Sequence, residues 1–191
     1  MEPPRTPRWG GRPCAGRDPI KEVLEFILEM ALLESPRVSG IIIVDAVGIE
    51  VRGHPIADFF SLTMDQVMQL SYHDPALFRI DLSSLPPATQ TIMAGNRAAL
   101  AAYAGTSMTD PSLVERLATL EMPTLVLWGD SDRIVDPDYG RAYAAAIPMA
   151  RFQLLPDTGH LPQIENPAQL LHAIWDSADT VLATDLSTAA H

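Results

Sequence analysis

The chain has 191 residues, 47% of them apolar, which suits one domain with a sizeable core. Twenty-four acidic against 13 basic residues leave a formal charge of −11, which argues against nucleic acid or an anionic membrane as the main partner. A single cysteine excludes an internal disulfide and a multi-cysteine metal site, and it fits a reducing, cytoplasmic location.

Residues 1–18 hold four arginines and four prolines with almost no aliphatics. They lack the apolar centre of a secretory signal, and their prolines would break an amphipathic leader helix. The expectation is a disordered tail. No apolar run approaches the ~18–20 residues of a membrane-spanning helix.

At Asp18-Pro19 the composition changes to IKEVLEFILEMALLE. Ile20, Val23, Leu24, Ile27 and Ala31 share one helical stripe, widened by Phe26, Met30 and Leu33. Ser35-Pro36 stops this helix. GIIIVDAVG follows, and Ile41 to Val44 read as a strand buried on both faces, as in a parallel sheet. TLVLW at 124–128 reads the same way, and RFQLL at 151–155 is a third, more alternating strand.

Helices are expected between and after these strands. Asp110-Pro111 starts a short one, and Asp136-Pro137 caps one carrying Tyr139, Ala142, Tyr143 and Ala146. Asn166-Pro167 caps another carrying Leu170, Leu171, Ile174 and Ala178, and 185–191 reads as a tail. Residues 49–108 contain no convincing strand. Thr63 to Gln66 form a capping box, and Ile92, Asn96, Leu100 and Tyr103 share one face of a helix that stops near Gly105. Alternating strands and helices call for an α/β fold with a parallel sheet, and a helical insert of this kind usually covers a site.

Ligands of open α/β sheets bind beyond the carboxyl ends of the strands. Here those ends carry Asp45, the run GDSDRIV with Asp132, and DTGHLPQIENP with His160. An Asp behind a His fixes its tautomer and stabilises its cation, so Asp132 and His160 are the candidate acid and base. Asp130 and Asp136 are rivals for the acid, and Asp45 is a runner-up.

GDSDRIV and DTGHLPQIENP resemble the catalytic-acid and catalytic-histidine loops of the α/β-hydrolase fold superfamily, with the Glu165 and Pro167 that tend to follow. The resemblance extends back through LEMALLESPRVSGIIIVDAVG and covers roughly residues 27–182, with 19–48 and 109–184 as the C-terminal part of the core and 49–108 as a helical cap. It implies a Ser-His-Asp relay acting, without a cofactor, on a small and fairly apolar ester, lactone, amide or carbon–carbon bond. The departure is the nucleophile. The family carries its serine in a G-x-S-x-G elbow, that pattern occurs nowhere in these 191 residues, and the matching position falls near Lys21.

Two hypotheses follow: a hydrolase whose serine lies outside this chain, or a non-catalytic remnant acting as a binding or scaffold module. In the second, the strand at 41–45 keeps an open edge that invites self-association. Cys14, in GRPCAG, is a poor replacement nucleophile because no strand precedes it. His54, His73 and His172 match no metal-ligand spacing. Trp128 and Met64, Met68 and Met93 read as packing. Phe59, Phe60, Met64 and Met68 are alternative lining for an apolar substrate pocket.

Overall fold

The computed structural model describes residues 38–78 and 80–188, without the side chains of Leu82, Tyr103, Ala104 and residues 181–188. The tail expected at 1–18, the helix expected at 20–33, Cys14 and the Lys21 position lie outside the described residues.

Strands β1 (Ile41–Val44), β2 (Thr124–Gly129) and β3 (Ala150–Leu155) pair in parallel, in the order β1-β2-β3. Between β1 and β2 run α1 (Met64–Ser71), a short 3-10 turn (Leu82–Ser84), α2 (Pro87–Ala104) and α3 (Leu113–Leu117). Helix α4 (Pro137–Ala145) links β2 to β3, and α5 (Pro162–Glu165) and α6 (Pro167–Thr188) close the chain. Two caps fall where the sequence puts them, at Thr63 and Asp136. Thr63 and Gln66 exchange the two bonds of a capping box on α1, and the Asp136 carboxylate accepts from the Asp138 and Tyr139 amides at the start of α4. Asp110 accepts from the Ser112 amide and hydroxyl just before α3. Helix α6 continues past 185, the expected start of the tail.

Alternation along β2 builds the core. Val126 and Trp128 face α3 and α4, joining Ile41, Ile43, Leu117, Val135, Tyr139 and Tyr143 in one cluster. Leu125 and Leu127 face the opposite way and pack with Leu155 and with Leu170 and Ala173 of α6. Every residue of β2 is buried, as its continuous apolar run implies. Burying each large side chain contributes about 2 kcal/mol. Trp128 stays polar-satisfied by donating from Nε1 to the Val135 carbonyl at 2.9 Å. It also fills the space over Gly140, where a Cβ would stand 2.3 Å from its ring.

Three expected faces differ. Strand β1 alternates between buried and half-buried residues instead of being buried on both faces. It is an edge of the described sheet, and Ile42 and Val44 are only partly covered beside a cleft of about 310 Å³ lined by Ile42, Pro123, Ser177 and Ala178. On α6 the buried stripe is Leu170, Ala173 and Ser177, so Leu171 is turned out and 52% exposed. On α2 the half-buried stripe is Thr89, Met93, Arg97 and Ala101, while Ile92 and Leu100 face outward. Arg97 can turn inward because its guanidinium donates to the Phe59 and Leu62 carbonyls, both at 2.7 Å, and lies over the Phe59 ring.

The end of β2 is pressed against the loop after β3. A Cβ on Gly129 would stand 2.2 Å from the Gly159 carbonyl and 2.5 Å from that of Thr158. Both obstacles are backbone, so Gly129→Ala should destabilise the fold by about 3 kcal/mol, read as a lower denaturation midpoint with an unchanged slope.

Candidate active site

The three strand ends converge as their parallel order requires. The turn after β2 places the Asp132 carboxylate against two amides, with Oδ1 accepting from Ile134 at 2.8 Å and Val135 at 3.1 Å. Its other oxygen, Oδ2, lies 2.8 Å from Nδ1 of His160. The Asp132 side chain is fully buried, whereas His160 keeps 23% of its side chain exposed. The carboxylate is therefore fixed by three donors, and the imidazole is held by one nitrogen with the ring edge accessible. Burial alone would push His160 down, but the hydrogen bond and charge of Asp132, helped by the charge of Asp45, hold it above the usual imidazole value. The stability from that raised value is fully present below about pH 6.5 and fades as the pH rises through the folded value.

The rival acids have other tasks. Asp130 accepts from the Ser131 hydroxyl at 2.8 Å and, at 3.4 Å, from the Thr158 amide of the histidine loop. Asp136 caps α4 and contacts Nδ1 of His54 at 2.8 Å. Asp45, at the end of β1, accepts from the Gly129 amide at 2.8 Å and is 6% exposed. Burial pushes its carboxyl up to about 7; the Gly129 bond opposes this, the charge of Asp132 adds to it and that of His160 opposes it.

The other described histidines have partners of their own. Ligand-capable atoms of His54, Asp136 and Asp138 lie within 4.8 Å of one another, a grouping that sequence spacing conceals. The Asp136 oxygens there are already engaged by the α4 amides and the His54 ring. Nδ1 of His73 lies 2.7 Å from the Ser131 hydroxyl oxygen, and His172 pairs with Asp176 one turn along α6. Met64 and Met93 line a cleft of about 260 Å³ with Gln90, Ala94 and Arg97. Phe59, Phe60 and Met68 are not in that lining. Phe59 and Phe60 meet edge to face, and Met68 is buried.

Four residues contribute contacts that sequence spacing does not show. The Ser71 carbonyl at the end of α1 accepts from the His160 amide at 2.7 Å. Arg133, next to Asp132, donates its amide to the Leu70 carbonyl and its guanidinium to the carbonyls of Gln69 and Tyr72, closing the carboxyl end of α1. Tyr139 accepts from the Gly48 and Ile49 amides and donates to the Ile49 carbonyl, pinning the loop after β1. Burial pushes its phenol up to about 12, so the hydroxyl proton stays. Glu165 ties the site together. Oε2 accepts from the Gly159 amide at 2.6 Å, and Oε1 from the amides of His73 at 2.8 Å and Asp74 at 3.2 Å. Its place five residues after His160, in a motif already recognised, was the available signal.

The comparisons agree with this architecture. The α/β hydrolase fold family matches residues 95–167. Lipase 1 of Psychrobacter immobilis is 39% identical over 49 residues, which are 26% of this chain and 16% of that one. The 2-hydroxy-6-oxononadienedioate/2-hydroxy-6-oxononatrienedioate hydrolase 2 of Pseudomonas putida is 38% identical over 66 residues, 35% of this chain and 23% of that one. Among solved structures, the 2-hydroxy-6-oxo-6-phenylhexa-2,4-dienoate hydrolase of Rhodococcus sp. strain RHA1 superposes with a TM-score of 0.58 at 16% identity, over 80% of this chain and 59% of that one. The described residues have a partial α/β-hydrolase fold, and residues 95–167 match that family. Its matches span less than a quarter of the length of these two curated relatives. Among the described residues no helix is long and apolar enough to cross a membrane.

Glu165→Gln places an amide donor where backbone donors converge. It should cost about 1–3 kcal/mol and speed hydrogen exchange at Gly159, His73 and Asp74, read by NMR or mass spectrometry.

Proposed function

We propose that this chain supplies the acid–base half of a serine-hydrolase relay. The observation that carries the reading is the 2.8 Å contact between a fully buried, amide-fixed Asp132 and a partly exposed His160. In such a relay His160 accepts the proton of an attacking serine hydroxyl through Nε2. Asp132 holds the imidazole in the required tautomer and stabilises its cation, and the imidazolium then returns the proton to the leaving group. The chemistry uses no cofactor. Among the small, fairly apolar ester, lactone, amide or carbon–carbon substrates that the resemblance implies, a relative named as a lipase supports the ester.

The serine comes from outside these 191 residues, which contain no G-x-S-x-G. A fluorophosphonate probe should therefore leave the purified chain unlabelled, and ester turnover should equal that of His160→Ala. Fused behind the strand–elbow–helix segment of a relative, the chain should gain turnover that falls about 10⁴-fold on Asp132→Asn and at least as far on His160→Ala. A folded, probe-reactive fusion indifferent to both changes would refute the relay.

A second reading, a non-catalytic interaction module, draws on the outer edge of β1. The amides of Ile41 and Asp45 donate toward β2, so those of Ile42 and Val44 point away from it. Among the described residues no strand pairs with that edge. In this reading a second copy pairs with it. Sedimentation should then show concentration-dependent self-association, and Ile42→Pro, which removes an outward amide from an edge strand, should weaken it without unfolding the chain.

A further inference from the structure

Asp45 has no task in the relay described above, yet three unusual features coincide on it. Its side chain is among the most buried carboxyls of the described residues, with 6% of the residue exposed. Oδ1 takes one hydrogen bond, from the Gly129 amide, while buried Oδ2 has no hydrogen-bond partner among the described residues. Its backbone also sits at φ +42°, in the left-handed region that non-glycine residues seldom adopt. Buried polar atoms without partners and strained backbones concentrate where a site does chemistry.

The neighbourhood decides which carboxyl carries charge. The charged groups that bear on Asp45 are Asp132, from the loop after β2, and His160, from the loop after β3. Strand β2 itself offers it the Gly129 amide. Asp132 is met by two amides and an imidazole nitrogen, so its negative charge is well solvated by the fold. Asp45 has one donor. A buried carboxyl with one donor, close to another negative charge, resists ionising.

We propose that Asp45 is a positioning residue of the acid–base site, a second carboxyl that holds a proton in competition with His160. With the imidazole neutral, Asp45 holds its proton more tightly, which delays a second negative charge in the site to higher pH. When the imidazole becomes a cation, Asp45 more readily releases its proton to solvent, and the cation is faced by two carboxylates. The coupling is reciprocal, as linkage between two binding equilibria must be. The inference rests on reading Asp132 and His160 as an acid–base pair. Its test needs no turnover, so it can fail while the relay stands, and the fusion experiment can fail while the coupling is seen.

The experiment is an NMR titration of the full 191-residue chain, following the His160 ring nitrogens and the Asp45 carboxyl carbon. The Asp45 carbon should titrate near pH 7, far above the ordinary 3.8, and the His160 curve should bend at the same pH. In Asp45→Asn, an isostere of the protonated acid, that bend should vanish and the His160 midpoint should move to lower pH, because a charge that favours the cation is gone. Stability gives a second readout. A carboxyl raised in the folded state contributes stability that is full below about pH 4 and lost as the pH rises through about 7. The melting temperature of Asp45→Asn should therefore exceed that of the parent chain above pH 7, with the gap closing toward pH 4. An Asp45 carbon titrating in the usual carboxylate range of the unsubstituted chain would overturn the proposal, whatever the variant does. So would His160 curves that superimpose in two natively folded proteins.

Discussion

The parallel pairing of β2 with β3 is the constraint on which the rest of the site depends. Their register runs from Thr124 opposite Ala150 to Gly129 opposite Leu155, so both strands end at the same level and their loops leave side by side. Gly129 lets those loops touch, because any side chain there would strike the Thr158 and Gly159 carbonyls. With the loops in contact, the Ser131 amide bonds the Thr158 carbonyl at 2.9 Å, and the Asp132 carboxylate is brought to the His160 ring. A fully buried carboxylate is tolerable only because two amides and the imidazole replace its water.

Around that contact the segment between β1 and β2 acts as a second support. The carboxyl end of α1 is held from both sides, by Arg133 beside Asp132 and by the His160 amide itself. Glu165 spans the same junction, gathering amides from the histidine loop and from the residues that follow α1. His160 is thus positioned by the sheet and by helix α1 together, and a loss at either support should reach it.

Local signals were legible in the sequence because their causes are local. Caps at Thr63 and Asp136, and the turn at Asp110, follow from hydrogen bonds spanning two or three residues, and the two loops that face each other carry recognisable runs. Faces were less legible. Leu171 and Ile92 follow helical periodicity, but periodicity does not say which side of an amphipathic turn meets the sheet. Arg97 took the inward face of α2 because carbonyls of Phe59 and Leu62 happened to be available to it, more than 30 residues earlier in the chain. Likewise Tyr139 reads as one more apolar position on a helix until its hydroxyl is seen to grip the loop 90 residues before it.

By itself the sequence determined the α/β class, the order of the strands, and two loop motifs carrying Asp132 and His160 without a G-x-S-x-G elbow. Those properties live in composition, periodicity and short motifs. Only the tertiary structure decided which of four nearby carboxylates meets His160, which one binds the loops, which caps a helix, and which is buried with an oxygen unpartnered among the described residues. Each of those outcomes depends on distances of about 3 Å between segments far apart in the chain, which are set by strand register and by the close approach at Gly129.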